Sequence, residues 1–361
     1  MMETRQIVAL WRRQIPAARG VLVTLVHAEG SSYRRPGARL LIVESGETAG
    51  TISGGCLEAE VLRKAFWKVR NGPVLETYST TFDDSSEIPY GLGCGGTVEL
   101  LLEPSGTPEF DALLSALEAS LLGQASGVTT LLPRSGLPLQ RIVQTSTVFA
   151  SQNLSPESTS DPRAFTETLL PPQRLVVLGA GEDARPLVAL AALLGWRILV
   201  ADGRSNLVKP DRFPAAERVL SLPPDTPLAP LAIQSEDAVI LMTHSFYQDR
   251  DLLTALLPLA PRYLGLLGAR HRSSLLVKES AQQAGLTVEQ ACDRIFAPVG
   301  LDLGGDGPQA IALAILAEIQ AVCAGRRVIS RRLSAADVAA QIEAGGSAPY
   351  PESHCALDLP A

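Results

Sequence analysis

Apolar positions in this chain come in short runs cut by glycine and proline, and the period of each run predicts its element. Residues 4–19 place Ile7, Val8 and Trp11 along one side of a short helix. Val21–His27 and Ala38–Val43 are β-branched or aliphatic between glycine or proline boundaries, which predicts two strands. Helical spacing returns at Leu57–Val69, directly after a Gly-Gly-Cys turn, and a further strand is expected over Thr97–Glu103. A helix over 109–122 and two more strands complete an expected first domain, residues 1–150. Ser, Pro, Asn and Thr then crowd Ser151–Asp161, so 151–172 reads as a surface loop and linker.

From Pro171 the texture changes. Leu175–Leu178 is a buried strand running into glycines, followed by a helix to Leu194 and a strand over Arg197–Ala201. Apolar runs at Ala238–Met242 and Tyr263–Leu267 alternate with helical patterns, and a last helix is expected over 308–324. Strands alternating with helices argue for a doubly wound parallel sheet over 173–330. Residues 331–361 would form a C-terminal helix and a Pro/Ser-rich tail expected to be poorly ordered. The fold class is therefore α/β, with an N-terminal α/β domain before a Rossmann-like one.

Composition narrows the function classes. Thirty-one basic against 38 acidic residues give a net charge of −7, which argues against general nucleic-acid or anionic-membrane binding. No apolar run approaches the roughly 20 residues that span a bilayer. The N-terminal stretch lacks the apolar core of a signal peptide. Five cysteines, Cys56, Cys94, Cys292, Cys323 and Cys355, are scattered without a CxxC pair, as expected of a cytoplasmic protein without a disulfide framework. No two ligands have the spacing of a structural zinc site.

The sharpest motif of the second half is Gly179-Ala-Gly181-Glu-Asp-Ala184. It has the GxGxxG/A form, follows a strand and opens a helix; Asp202 ends the next strand, where such folds carry a ribose-binding acid. Gly179 permits the turn, Gly181 admits a pyrophosphate and Ala184 lets helix and strand approach. These residues make NAD(P) a candidate ligand, with Arg204 near enough to keep the choice of dinucleotide open. A Rossmann fold holding another nucleotide or a pterin is the alternative.

The first half concentrates different chemistry. Gly30-Ser31-Ser32-Tyr-Arg34-Arg35-Pro-Gly-Ala-Arg39 precedes Ser53-Gly54-Gly55-Cys56-Leu-Glu58, and Gly93-Cys94-Gly95-Gly96 follows. Dense glycine lets a bulky ligand lie on the main chain, and Arg34, Arg35 and Arg39 supply guanidinium donors for phosphate. Cys56 sits at or just before a helix N-terminus, which favours a thiolate able to act as nucleophile or metal ligand. Each has an ordinary explanation beside it. Cys56 and Cys94 are also small residues for tight turns, and Glu58 is also the acid that a helix dipole favours in a first turn. His244 and Arg270 follow strand ends, the usual place for α/β site groups, and Asp302 lines the cleft or braces its loop. Asp83, Asp84 and Glu87 read as solvated surface, and His354-Cys355 as part of the tail.

These motifs resemble the XdhC/CoxI family, accessory factors of xanthine dehydrogenase and related molybdenum hydroxylases. The resemblance is carried by Gly30-Ser-Ser-Tyr-Arg-Arg-Pro-Gly, Ser53-Gly-Gly-Cys-Leu-Glu58 and Gly91-Leu-Gly-Cys-Gly-Gly96. In the second half it rests on Gly179-Ala-Gly181, Asp202-Gly-Arg204, Arg212-Phe-Pro214, Thr243-His244, Tyr263-Leu-Gly-Leu-Leu-Gly-Ala-Arg270 and Pro298-Val-Gly-Leu-Asp-Leu-Gly304. It implies a factor that binds molybdenum cofactor (molybdopterin), supports its sulfuration and hands it to an apo-hydroxylase of the xanthine dehydrogenase type. A cysteine desulfurase as sulfur donor and a homodimer are further expectations. Cys56 is the expected molybdenum contact, and Cys56 and Cys94 are candidate persulfide carriers. The chain departs from the family at Glu182, where histidine is usual, at Gly307-Pro-Gln-Ala-Ile-Ala312, which lacks two usual carboxylates, and at Ser245. The rivals are an NAD(P)-dependent oxidoreductase using Asp202 and His244, a pterin nucleotidyltransferase and a thiol sulfur carrier without cofactor.

Overall fold

The computed structural model describes residues 2–14, 19–30, 33–79, 97–134, 136–146, 161–224, 226–329 and 336. The chain divides between Pro171 and Pro172 into two units.

In the first unit, α1 (Met2–Gln14) leads into β1 (Gly20–Glu29), β2 (Arg39–Val43) and β3 (Thr48–Gly50). Then come α2 (Cys56–Lys68), β4 (Val74–Ser79), β5 (Thr97–Pro104), α3 (Pro108–Leu121), β6 (Ala125–Leu131), β7 (Gln140–Ser146) and β8 (Ala164–Leu169). The first five strands make an antiparallel sheet in the order β3-β2-β1-β5-β4, and the last three a sheet in the order β7-β6-β8. Side chains alternate across a strand, so β1 shows why its sequence is apolar at nearly every position. Val21, Val23 and Leu25 face a core shared with Leu57, Val61 and Ala65 of α2, whereas Leu22 joins Ile7 of α1 and Phe110 of α3 on the other face.

β8 corrects the sequence reading. Residues 164–169, assigned to a linker, pair antiparallel with β6 from Ser126↔Leu169 to Leu131↔Ala164. The run Ala-Phe-Thr-Glu-Thr-Leu alternates apolar and polar residues, as a half-buried strand does. The expected C-terminal helix and tail lie outside the described residues, Ala336 apart.

The second unit contains β9 (Arg174–Leu178), α4 (Ala184–Leu193), β10 (Arg197–Asp202), β11 (Arg218–Ser221), β12 (Ala238–Leu241) and α5 (Phe246–Leu256). It continues with β13 (Tyr263–Leu266), α6 (Arg270–Gln283), α7 (Val288–Cys292) and α8 (Pro308–Cys323). The strands are parallel in the order β11-β10-β9-β12-β13. Leu175 and Val177 face one core with α4 and α8, Val176 and Leu178 the other with α5 and α6. This is the expected doubly wound sheet, and its order reverses between β9 and β12, the switch point where such folds bind ligands.

Candidate functional site

In the first unit the glycine turn before α2 is built around one carboxylate. Ile52 and Leu57 flank it and are buried, anchoring both ends in the core, while Gly54 and Gly55 are exposed. Gly55 has φ +120°, a conformation that a side chain would strain, and no atom lies near where its Cβ would be. Glu58, in the first turn of α2, bends back over the loop. Its carboxylate accepts from the N–H groups of Ile52 at 3.0 Å, Ser53 at 2.7 Å and Gly55 at 3.0 Å, and from the Ser53 hydroxyl. Burial pushes the Glu58 carboxyl upward, but these hydrogen bonds outweigh it and hold its pKa below the usual carboxylate range. Glu58 thus shapes the turn, the capping-box alternative left open by the sequence.

Glu3 of α1 joins this turn to the arginine loop. Its Oε1 accepts from Thr51 Oγ1 at 3.0 Å and from Arg34 at 2.9 Å, and Oε2 accepts from the same guanidinium. Arg34 is therefore partnered, whereas Arg35 is exposed and has no carboxylate partner among the described residues; Tyr33 beside it is 73% exposed. Arg39, expected to grip phosphate, is buried and ion-paired with Glu167 of β8, and it also donates to the Gly37 carbonyl at 3.0 Å. Its guanidinium braces the base of the loop. Glu3 and Glu167 were not legible in the sequence, because each lies far along the chain from the arginine it meets. Cys56 is the first residue of α2. Ser31, Ser32, Cys94, Gly95, Gly96, Asp83, Asp84, Glu87 and His354-Cys355 lie outside the described residues.

In the Rossmann unit, Gly179 has φ +124°, and a Cβ there would press into the Met242 carbonyl. Ala184 is buried against the sheet, as its place in the motif requires. Asp202 is fully engaged. Oδ2 accepts from Ala180 N–H at 2.7 Å and from the Arg204 guanidinium at 2.7 Å, while Oδ1 accepts from Arg204 N–H at 2.8 Å and Nε at 2.9 Å. Burial raises its pKa, yet the Arg204 and backbone hydrogen bonds prevail and lower it. The acid expected to meet a ribose instead ties the glycine loop to β10.

Over Gly181 stands Asp183, whose Oδ1 would lie 2.6 Å from a Cβ there and is buried without a hydrogen-bond partner. Its Oδ2 lies 2.8 Å from Nε2 of His244, a residue with φ +64°. Left-handed backbone costs a non-glycine residue of the order of 1–2 kcal/mol, and such strain gathers at functional sites. Beneath it, Thr243 Oγ1 donates to Asp249 at 2.7 Å, and buried Asp249 accepts from Arg272 at 2.6 Å. The residues as they stand do not fit a dinucleotide: a carboxylate covers the glycine meant for pyrophosphate, and the ribose acid is occupied.

Arg270 opens α6 and lines a separate cavity of about 380 Å³ with Ser273, Ser274, Cys292 and Pro298. Asp302 is exposed on the loop after Gly300. Glu318 braces that loop, accepting from Gly300 N–H at 2.9 Å and from the Tyr263 hydroxyl at 2.5 Å. No cluster of three or more His, Cys, Asp or Glu side chains could hold a metal ion among the described residues. None of the helices searched among them is long and apolar enough to cross a membrane.

Two family descriptions match in the order of the two units. The XdhC and CoxI family covers residues 16–79, with the glycine turn and arginine loop, and the XdhC Rossmann domain covers residues 175–319. The chain belongs to the XdhC and CoxI family. Among its XdhC-type relatives is a probable xanthine dehydrogenase subunit of Bacillus subtilis, 28% identical, with 83% of this chain and 92% of that protein aligned. The molybdenum cofactor insertion chaperone PaoD of Escherichia coli is 27% identical over 84% of this chain and 83% of its own length. The crystal structure of a xanthine dehydrogenase from Bacillus halodurans superposes with TM-score 0.74 at 29% identity, covering 94% of this chain and 99% of that one. The XdhC assignment thus spans both units.

Proposed function

We propose that this protein is an accessory factor that binds molybdenum cofactor as cargo and inserts it into a hydroxylase of the xanthine dehydrogenase type. Membership of the XdhC and CoxI family and likeness to a relative named as a molybdenum cofactor insertion chaperone support this reading. The observation that carries it is the Glu3 bridge, which draws the arginine loop to the exposed glycine turn. The donor set suits the cargo. Arg35 offers a guanidinium fork to the pterin phosphate, and Gly54 and Gly55 leave the backbone open to a broad ligand.

Cys56, at the first position of α2, occupies the end of a helix that stabilises a thiolate. A thiolate there, with Cys94, suits contact with molybdenum and receipt of sulfur from a cysteine desulfurase before handover to the apo-hydroxylase. The oxidoreductase reading has less support, because Asp202 and Gly181 are engaged by Arg204 and Asp183.

The test is anaerobic mixing with molybdenum cofactor, desalting, and assay of molybdenum and pterin retained per chain. Near-equal retention that falls in Arg35→Ala and Cys56→Ala is expected. Absence of retention by the wild-type protein would overturn the reading.

A further inference from the structure

On the flank of the Gly179 loop, the Rossmann unit holds a cavity of about 560 Å³ that the proposed cargo site does not use. Pro186 and Val188 of α4, Phe213, Pro214 and Pro308 form its apolar walls. Small-molecule pockets fall at about 300–1,000 Å³ and combine such walls with a few convergent polar groups. Here those groups are Arg185, Arg212 and Glu182.

The two arginines differ in how they are held. The Arg212 side chain is only 18% exposed. One nitrogen donates to the Leu207 carbonyl at 3.3 Å, and its guanidinium carbon lies 5.6 Å from the centre of the Phe213 ring. The other nitrogen points to Glu182 Oε1 at 2.6 Å. Arg185 meets Oε2 of the same carboxylate at 3.0 Å. Two guanidiniums of fixed aim therefore converge on one acceptor, and that acceptor is a loop side chain 73% exposed. Ion pairs with so exposed a carboxylate contribute little, because water competes for both partners.

We propose that this cavity binds a phosphate monoester carried on a flat heterocycle, a ligand of nucleotide size, with Arg185 and Arg212 gripping the phosphate and Glu182 holding its place until displaced. A ligand carboxylate would gain nothing over a tethered one. A phosphate adds charge and a third acceptor oxygen, so it accepts from both forks at once. The proline and phenylalanine walls suit the face of a planar ring. The site lies within the second unit and does not rest on the cargo reading of the first.

Calorimetry on the full-length chain at low salt tests this, with AMP, GMP, adenosine, inorganic phosphate and NAD+ as probes. AMP or GMP is expected to bind at least tenfold tighter than adenosine or phosphate alone. Glu182→Gln should strengthen that binding, since it removes the competing charge and retains the loop. Arg185→Gln and Arg212→Gln should each weaken it roughly tenfold or more, as loss of a charge-assisted hydrogen bond does. Arg185 is half exposed, so its variant reports even where Arg212→Gln perturbs folding. The proposal is overturned if neither mononucleotide binds the wild-type or Glu182→Gln protein. It is equally overturned if binding ignores Arg185, or if only NAD+ binds.

Discussion

Replacing Glu58 by alanine isolates what holds the glycine turn. The change deletes one acceptor group shared by three backbone N–H groups and the Ser53 hydroxyl. Because Gly54 and Gly55 are exposed, water reaches the freed N–H groups, and the full penalty of burying them unpaired does not apply. The loss should resemble that of a helix cap, about 1–2 kcal/mol. A local opening equilibrium shifts about 5–30-fold for that energy. Hydrogen exchange followed by mass spectrometry, corrected for intrinsic rates, should show that acceleration in a peptide covering residues 50–58. Exchange in the Rossmann unit should stay as it was. The pH dependence has a definite sign. Glu58 has a folded-state pKa below its ordinary value. Its bracing is therefore complete above the unfolded value of about 4.3 and is lost as pH falls through the lower folded value. Glu58→Gln should flatten that acid dependence. Unchanged exchange over 50–58 in Glu58→Ala would refute the bracing role, and a loss of cofactor retention with that exchange unchanged would restore Glu58 as a ligand.

Two further tests address the frame around the sites. The Arg141 and Glu103 side chains, 2% and 0% exposed, pair at 2.7 and 3.0 Å. Glu103→Ala should cost about 3–5 kcal/mol by leaving a buried charge, whereas Glu103→Leu with Arg141→Leu should recover most of it. Urea unfolding followed through Trp11 and Trp67 reads both, and equal loss in the double variant would contradict the argument. Gly179→Ala should destabilise the Rossmann unit by more than about 2 kcal/mol, given φ +124° and the Met242 carbonyl in the way. Gly54→Ala, with ordinary φ and open space, should melt within about 1 °C of wild type; a matched fall in both would sink the steric reading.

The Rossmann unit was legible because its strands are buried on both faces and read as unbroken apolar runs, each ending in punctuation such as Gly179 or Asp202. Short edge strands were not. β3 has three residues and β11 four, too few for a period to register. β8 was hidden by its polar alternation and by the Ser- and Pro-rich stretch before it. The candidate site was legible as glycines, arginines and a cysteine, but not as a division of labour. Which arginine faces solvent depends on Glu3 and Glu167, and no local pattern relates positions 31 or 128 residues apart. Glu103 did leave a signal, since a lone acid ending the run Val-Glu-Leu-Leu-Leu-Glu demands a buried partner.

The Arg39–Glu167 pair also sets a timetable for making the protein. Arg39 leaves the ribosome 128 residues ahead of its counter-charge. At synthesis rates of about 5–20 residues per second, that is an interval of roughly 6–25 s. During it the strand beneath the arginine loop carries a cation with no anion to bury against, so the loop cannot settle. A nascent chain is thereby kept from presenting a finished cargo loop before β8 has been made. A fragment ending before Ala164 would stay in that unfinished condition permanently.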